Sequence, residues 1–227
     1  MARALKKMEA PQSMPDLSLE RELQRQGHRL IAGIDEAGRG AWAGPVMAAA
    51  VILPLDRPDV LAELTEAGVN DSKQLTPRQR ERLSALIRRS AVAVGLGGVS
   101  ARQIDKDGLL HATRIAMQRA VSILRTPPQA LLIDAVDLSG YVPLPQTRLN
   151  FGDSISLSIA AASIIAKVSR DRFMAQLDAL YPGYGFARHK GYGTRAHREA
   201  LERLGPSELH RQSYRPLRAL LASQTET

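Results

Sequence analysis

Asp35 and Glu36 stand side by side between an apolar run, Ile31-Ala-Gly-Ile34, and a glycine turn, Gly38-Arg39-Gly40. Two carboxylates fixed at the end of a buried strand repel each other unless a cation or a proton lies between them. The turn beside them can bring bare backbone amides and a guanidinium against a phosphate or a sugar. An acid pair next to such a turn points to metal-dependent chemistry on a nucleic acid. The plain alternative is a solvated acidic turn, but the pair emerges from core-strand material. A third reading, the G-x-G-x-x-A form of a dinucleotide fingerprint in Gly38 to Ala43, needs a helix at the turn. Gly44-Pro45 and the strand-like Val46 to Leu53 deny it one.

Other acids could join the pair. Asp134 ends the apolar stretch Leu131-Leu-Ile133, with Asp137 three residues later competing for any role. Asp153 follows Gly152 and precedes Ser154, Ser156 and Ser158; taken alone it reads as the N-cap of the next helix. Asp171, in Lys167-Val-Ser-Arg-Asp-Arg172, reads as a partner of neighbouring arginines, and Asp71-Ser-Lys73 as a polar turn. Tyr184 to Tyr192 mixes glycines, basic residues and rings, which can stack a sugar or base while gripping phosphate, or form an ordinary loop. His189, His197 and His210 lack the spacing of a zinc site, and no metal is assigned to them.

Composition narrows the partners. Net charge is +8, from 31 Lys plus Arg against 23 Asp plus Glu, which favours a polyanion without fixing a site. Without cysteine, disulfides, thiolate catalysis and cysteine-ligated metals are excluded, and an intracellular, cytoplasmic location is the expectation. The opening Met1 to Met8 is basic but has no apolar core of a secretory signal. No run approaches the ~18 apolar residues of a membrane helix.

The elements that must position these groups follow from periodicity. Residues 1 to about 16 read as a loose tail and Leu17 to Gln26 as a short helix. Strands at Arg29 to Ile34 and Val46 to Leu53, joined by the glycine turn, form an antiparallel hairpin. Thr76-Pro77 starts a helix with Leu83, Leu86 and Ile87 on its buried face. Ala91 to Val99 is a strand, Gln103 to Leu124 one long helix, and Ala130 to Ala135 a buried strand. Leu149 to Gly152 is a last strand. Ile155 to Leu180 is a helix whose small residues, Ala160 to Ala162, Ser163 and Ala166, permit close packing on a sheet. Thr194 caps a helix over Arg195 to Leu204, and Arg215 to Thr227, with Leu217, Leu220 and Leu221, makes a weak amphipathic turn. Strands first and alternating helices later give an α/β fold with a mixed sheet flanked by helices.

Taken together, these stretches resemble ribonuclease HII, the type 2 ribonuclease H, from about Arg29 to Pro216. The motifs are 33–40 with 43–46, Asp-Ser-Lys-Gln-Leu (71–75), Gly-Asp-Ser (152–154), 158–168, Arg-Asp-Arg (170–172), His-Lys-Gly-Tyr-Gly-Thr (189–194) and His-Arg-Gln-Ser-Tyr (210–214). The resemblance implies a ribonuclease H-like mixed sheet flanked by helices with a small helical C-terminal part. The divisions would be 1–28 (tail and short helix), 29–180 (catalytic) and 181–227 (substrate-contacting). It implies metal-site carboxylates carried by Asp35, Glu36, Asp134 and Asp153, a ribose-reading turn in Gly38, Arg39 and Gly40, and Tyr192 at the ribonucleotide-to-deoxyribonucleotide junction. Lys73, Lys167 and Lys190 are expected beside phosphates. Manganese or magnesium would be the cofactor, two ions about 3.5–4 Å apart straddling the scissile phosphate. The expected partners are RNA-DNA hybrid and duplex DNA containing single ribonucleotides, for a monomer with no membrane association. Ala41-Trp42, where Pro-Leu is common, and Phe151, where lysine is frequent, depart from the pattern. A hybrid-binding module without cleavage and a DNA-cutting nuclease or transposase core are the competing readings.

Overall fold

A computed structural model describes residues 14–219. In chain order, α1 (Ser18–Arg25) leads into β1 (Ile31–Ala37) and β2 (Val46–Ile52), then α2 (Pro58–Glu66) and α3 (Pro77–Ser90) precede β3 (Ala93–Val99). Next come α4 (Ala101–Asp107), α5 (Leu109–Ser122), β4 (Ala130–Asp134) and β5 (Gln146–Leu149). A 3-10 turn at Gly152–Ser154 opens onto α6 (Leu157–Leu180), followed by α7 (Phe186–His189) and α8 (Arg195–Leu204). The sheet order is β3-β2-β1-β4-β5, with β2 antiparallel to both β1 and β3, and β1, β4 and β5 parallel. This is the mixed, helix-flanked α/β sheet that the strand pattern predicts.

β1 lies at the centre and is covered on both faces. Ile31 and Ala37 belong to the core shared with α2, α3 and α6, whereas Ala32 and Ile34 belong to the core shared with α5. The alternation is the period of two that a strand imposes. Small side chains let the helices approach closely. A Cβ on Gly33 would lie 2.1 Å from the carbonyl carbon of Ser158, and one on Gly97 would lie 2.0 Å from the carbonyl oxygen of Ala116. The alanines of α6 are therefore a packing requirement: its first turns sit directly on β1.

Several predicted boundaries move. β1 extends through Ala37, so the acid pair lies within the strand and not beyond it. The single helix expected over Gln103 to Leu124 is two, because Gly108, at φ +83°, ends one and begins the other. The last strand is Gln146–Leu149 and not Leu149 to Gly152, since Phe151 adopts a left-handed φ of 59° and turns the chain. α2 was not anticipated; Pro58 at its first turn is the signal that marks it. Thr76 forms a capping box with Gln79, and Thr194 caps α8 as read. The end of the N-terminal tail is tied down: Asp16 bridges to Ser156, and the buried Glu20 carboxylate accepts from the Ser156 hydroxyl at 2.7 Å and the Ser158 amide at 2.9 Å. Residues 1–13 of that tail, and Leu220 and Leu221 of the C-terminal turn, lie outside the described residues, whereas Leu217 is buried.

Gly33→Ala should cost about 3 kcal/mol, the upper end for overpacking, because the added methyl meets backbone and no side chain can yield. Urea unfolding checks this, and a variant as stable as the parent would show that α6 does not seat on β1 as described.

Candidate active site

The sheet's register brings the first two acids together. Ile34 pairs with Ile133 across the parallel β1–β4 seam, so Asp35 and Asp134 emerge side by side at the strands' C-terminal ends. Asp153 arrives from the 3-10 turn, where it is 2% exposed. It is not a helix cap: Ser156 caps α6 by accepting from the Ile159 amide at 3.2 Å. The Gly152 amide donates to Asp134 Oδ1 at 2.7 Å, which locks the end of β4 to the turn that carries Asp153. Glu36, Asp134 and Asp153 line one cavity of about 640 Å³ with Arg39, Lys73 and Phe151.

Asp35 lies just beneath, 4% exposed. Burial, and then the charges of Glu36, Asp134 and Asp153, push its carboxyl well above the usual carboxylate range. The Ser163 hydroxyl works the other way by donating to it. That hydroxyl is held in turn by Ser72 at 2.9 Å, so the Asp71-Ser-Lys73 loop is pinned to α6 under the acids. Burial also raises Glu36, Asp134 and Asp153, opposed respectively by Arg39, the Gly152 amide and Lys73. Two cations touch the group. Arg39 reaches Glu36 Oε1 at 3.3 Å, and the largely exposed Lys73 reaches Asp153 Oδ2 at 2.8 Å.

Asp137 stands apart. It is exposed, and its carboxylate accepts from the amide and hydroxyl of Ser139 at 2.9 and 2.5 Å, which holds its carboxyl below the usual carboxylate range. Asp171 pairs with Lys167 at 2.8 Å, not with the neighbouring arginines expected for it.

The basic aromatic loop lies about one helical turn along α6. Lys167 follows Ser163 by four residues, a rise of about 6 Å. Tyr192 sits with the Lys167 ammonium and the Arg170 guanidinium each 5.3 Å from its ring centre. It lines a second cavity of about 550 Å³ with Arg80, Arg172, Arg188 and Lys190. Lys190 takes a left-handed φ of 55°, its ammonium donates to the Ala187 carbonyl, and its carbonyl accepts from Arg170 at 3.0 Å. In the glycine turn, Gly38 has φ +92° and a Cβ there would strike Arg170, while Gly40 is exposed with no atom within 4 Å of a Cβ. Of the two departures, Ala41 is fully buried and Trp42 packs on Gly193, whereas Phe151 lines the same cavity as the acids.

A divalent cation suits the acid group on two observations. Glu36 Oε2 is buried with no hydrogen-bond partner, and Asp35 is strained by three like charges. All donors are oxygens, a set that favours magnesium or manganese over zinc. As the side chains stand, no three His, Asp or Glu among the described residues form a closed metal cage. Mutual repulsion opposes such closure until positive charge arrives.

Sequence reasoning missed the histidines' arrangement. His189 and His197 stack with ring centres 4.3 Å apart, and His197 Nε2 lies 3.0 Å from His210 Nε2. His210 Nδ1 accepts from the Ser207 amide and His197 Nδ1 donates to the Tyr192 carbonyl, so His210 Nε2 carries the proton between the two rings. Burial pulls both down to about 4. The three are spaced eight and thirteen residues apart, a spacing that matches no local pattern. Arg170 and Arg211, both fully buried, were likewise invisible.

A helix-flanked mixed sheet with an acid cluster at the ends of its central parallel strands defines a ribonuclease H-fold nuclease. A ribonuclease HII family profile matches residues 32–216. Ribonuclease HII of Chloroflexus aurantiacus is 56% identical over 213 residues, covering 92% of this chain and 98% of that protein. That of Roseiflexus castenholzii is 58% identical over 205 residues, covering 90% of each. The crystal structure of ribonuclease H2 from Pyrococcus horikoshii superimposes with a TM-score of 0.73 at 26% identity, covering 87% of this chain and all of that one. The chain belongs to the ribonuclease HII family. It is a metal-dependent hydrolase of phosphodiester bonds, with the RNA-cleaving activity of a ribonuclease H.

Two outcomes follow from the charges. A carboxyl whose folded value is raised favours folding below its unfolded value, and that contribution is lost as pH rises through the folded value. Asp35→Asn should therefore raise the thermal midpoint at pH 7 in EDTA by about 2–4 °C, for relief on the order of 1 kcal/mol. It should also weaken the rise that magnesium or manganese gives the parent. A lowered midpoint in EDTA would sink the repulsion account. For the histidines the sign is opposite: their contribution is complete above the ordinary 6.5 and is lost as pH falls toward about 4. The midpoint's fall between pH 7 and 5 should be shallower in His210→Gln than in the parent, and equal slopes would count against the neutral pair.

Proposed function

We propose that this protein is an endoribonuclease that cuts the phosphodiester on the 5' side of a ribonucleotide. Its substrates would be RNA-DNA hybrids and single ribonucleotides embedded in duplex DNA, and its products a 5'-phosphate and a 3'-hydroxyl. The observation that carries this reading is the convergence of Asp35, Glu36, Asp134 and Asp153 beside the Gly38-Arg39-Gly40 turn.

Asp35, Glu36, Asp134 and Asp153 would hold two divalent cations, magnesium or manganese. When bound, these supply Lewis-acid polarisation of the scissile phosphate and an acidified attacking water. The chain's own groups do the rest. The glycine turn presents backbone without side-chain bulk to the 2'-hydroxyl, the sugar group that separates RNA from DNA. Lys73, paired with Asp153, and Arg39, paired with Glu36, are the cations that would be available to the substrate's phosphates were those carboxylates to hold metal ions. Tyr192, backed by two cations, offers a ring at the junction with the deoxyribonucleotide, and Lys190 a flanking charge. Residues 181–227 act here as the substrate-contacting part, with 29–180 as the catalytic part and 1–28 as the N-terminal segment.

The test is cleavage of three duplexes, a hybrid, one with a single ribonucleotide and one all DNA, with and without magnesium. The first two should be cut only with metal, and the third not at all. Asp134→Asn should lower kcat by roughly a thousandfold or more, the scale of lost electrostatic stabilisation. Asp137→Asn should match the parent. Cutting of all-DNA duplex, or activity retained in Asp134→Asn and lost in Asp137→Asn, would overturn the assignment.

A further inference from the structure

The stretch His210-Arg-Gln-Ser-Tyr214 has no part in the chemistry proposed above, yet it grips the glycine turn from inside the protein. Arg211 is fully buried. Its Nη1 donates to the Arg39 carbonyl at 2.8 Å, and its Nε and Nη2 donate to the Gly44 carbonyl at 3.1 and 2.9 Å. The Tyr214 hydroxyl donates to the same Arg39 carbonyl at 2.6 Å while accepting from Arg211 Nη1 at 2.8 Å. The far side of this stretch is fixed by Asp105, whose carboxylate accepts from the amides of Gln212 and Ser213, each at 2.9 Å.

Two donors fill both lone pairs of the Arg39 carbonyl oxygen. That oxygen therefore points inward and its direction is set. Because a trans peptide is planar, the N–H of the next residue points the opposite way. Gly40 is exposed, and its N–H meets no acceptor among the described residues. The inner grip thus determines an outward-facing donor on the turn's last residue.

We infer that Arg211 and Tyr214 are positioning residues for ribonucleotide recognition: their shared hold on the Arg39 carbonyl sets the peptide plane that aims the Gly40 N–H at the substrate. This rests on the reading of Gly38 to Gly40 as the ribose-sensing turn. Tyr214→Phe keeps the ring and removes one of the two donors.

With the full chain in magnesium, Tyr214→Phe should raise KM for a single-ribonucleotide duplex about five-fold, the scale of one hydrogen bond. Its kcat should stay within about two-fold, the pattern of lost binding rather than lost chemistry. Its Kd for an all-DNA duplex of the same sequence and its thermal midpoint should match the parent. Arg211→Lys, which keeps the charge but not the fork, should raise KM at least as far. An unchanged KM in Tyr214→Phe, or a KM that rises only together with the Kd for plain DNA, overturns the inference while leaving the enzyme's reading intact. A parent enzyme that does not distinguish the ribonucleotide duplex from plain DNA overturns both.

Discussion

The repulsion among buried carboxylates at the β1–β4 seam is the constraint around which this molecule is built. Asp35 would relax if it could move, since burial and three like charges all disfavour its ionised form. It cannot. Its strand is central in the sheet, paired on both edges, and packed on both faces. Asp134 is held by the Gly152 amide, and Asp153 by a turn wedged between β5 and α6. The acids are therefore presented as a fixed demand for positive charge, met here by Arg39 and Lys73.

That demand requires a rigid platform, and α6 supplies it. The contact of Gly33 with Ser158 and Ile159 is backbone on backbone, leaving no side chain to act as a cushion. The helix start is clamped from outside by Glu20, whose carboxylate accepts two bonds from Ser156 and Ser158. An anion at a helix N-terminus is favourable in itself. Here it also steadies the segment that begins at Asp153. The N-terminal helix is accordingly part of the site's support.

Much of this was legible in the chain and some was not, for physical reasons. The hairpin around the glycine turn, the helix start at Thr76-Pro77 and the small-residue helix are local patterns, and each is present in the fold. By sequence, Asp134 is favoured over Asp137 for standing at the strand's end, while Asp137 lies near enough to compete. The parallel register, which sets Asp134 beside Asp35, separates them in space. The break at Gly108 was hidden because its neighbours keep helical spacing on both sides. Buried arginines are the clearest failure. Arg170 and Arg211 sit in polar stretches that look solvated, and most of their partner carbonyls lie more than 100 residues away.

Those two guanidiniums complete the charge pattern. Neither forms a salt bridge among the described residues, and burial pulls Arg170 down to about 10. Carbonyl dipoles satisfy their donors but leave their net charge uncancelled. Arg170 donates to Ala43, Pro45 and Lys190, and Arg211 to Arg39 and Gly44, so both lie directly under the glycine turn and the Tyr192 loop. A surplus of buried positive charge thus backs the loops, and a surplus of buried negative charge backs the cavity beside them. A single-signed ligand could relieve only one. On the function proposed above, a phosphodiester accompanied by divalent cations would relieve both. The fold holds both surpluses in place with backbone hydrogen bonds, which do not titrate and which salt screens little.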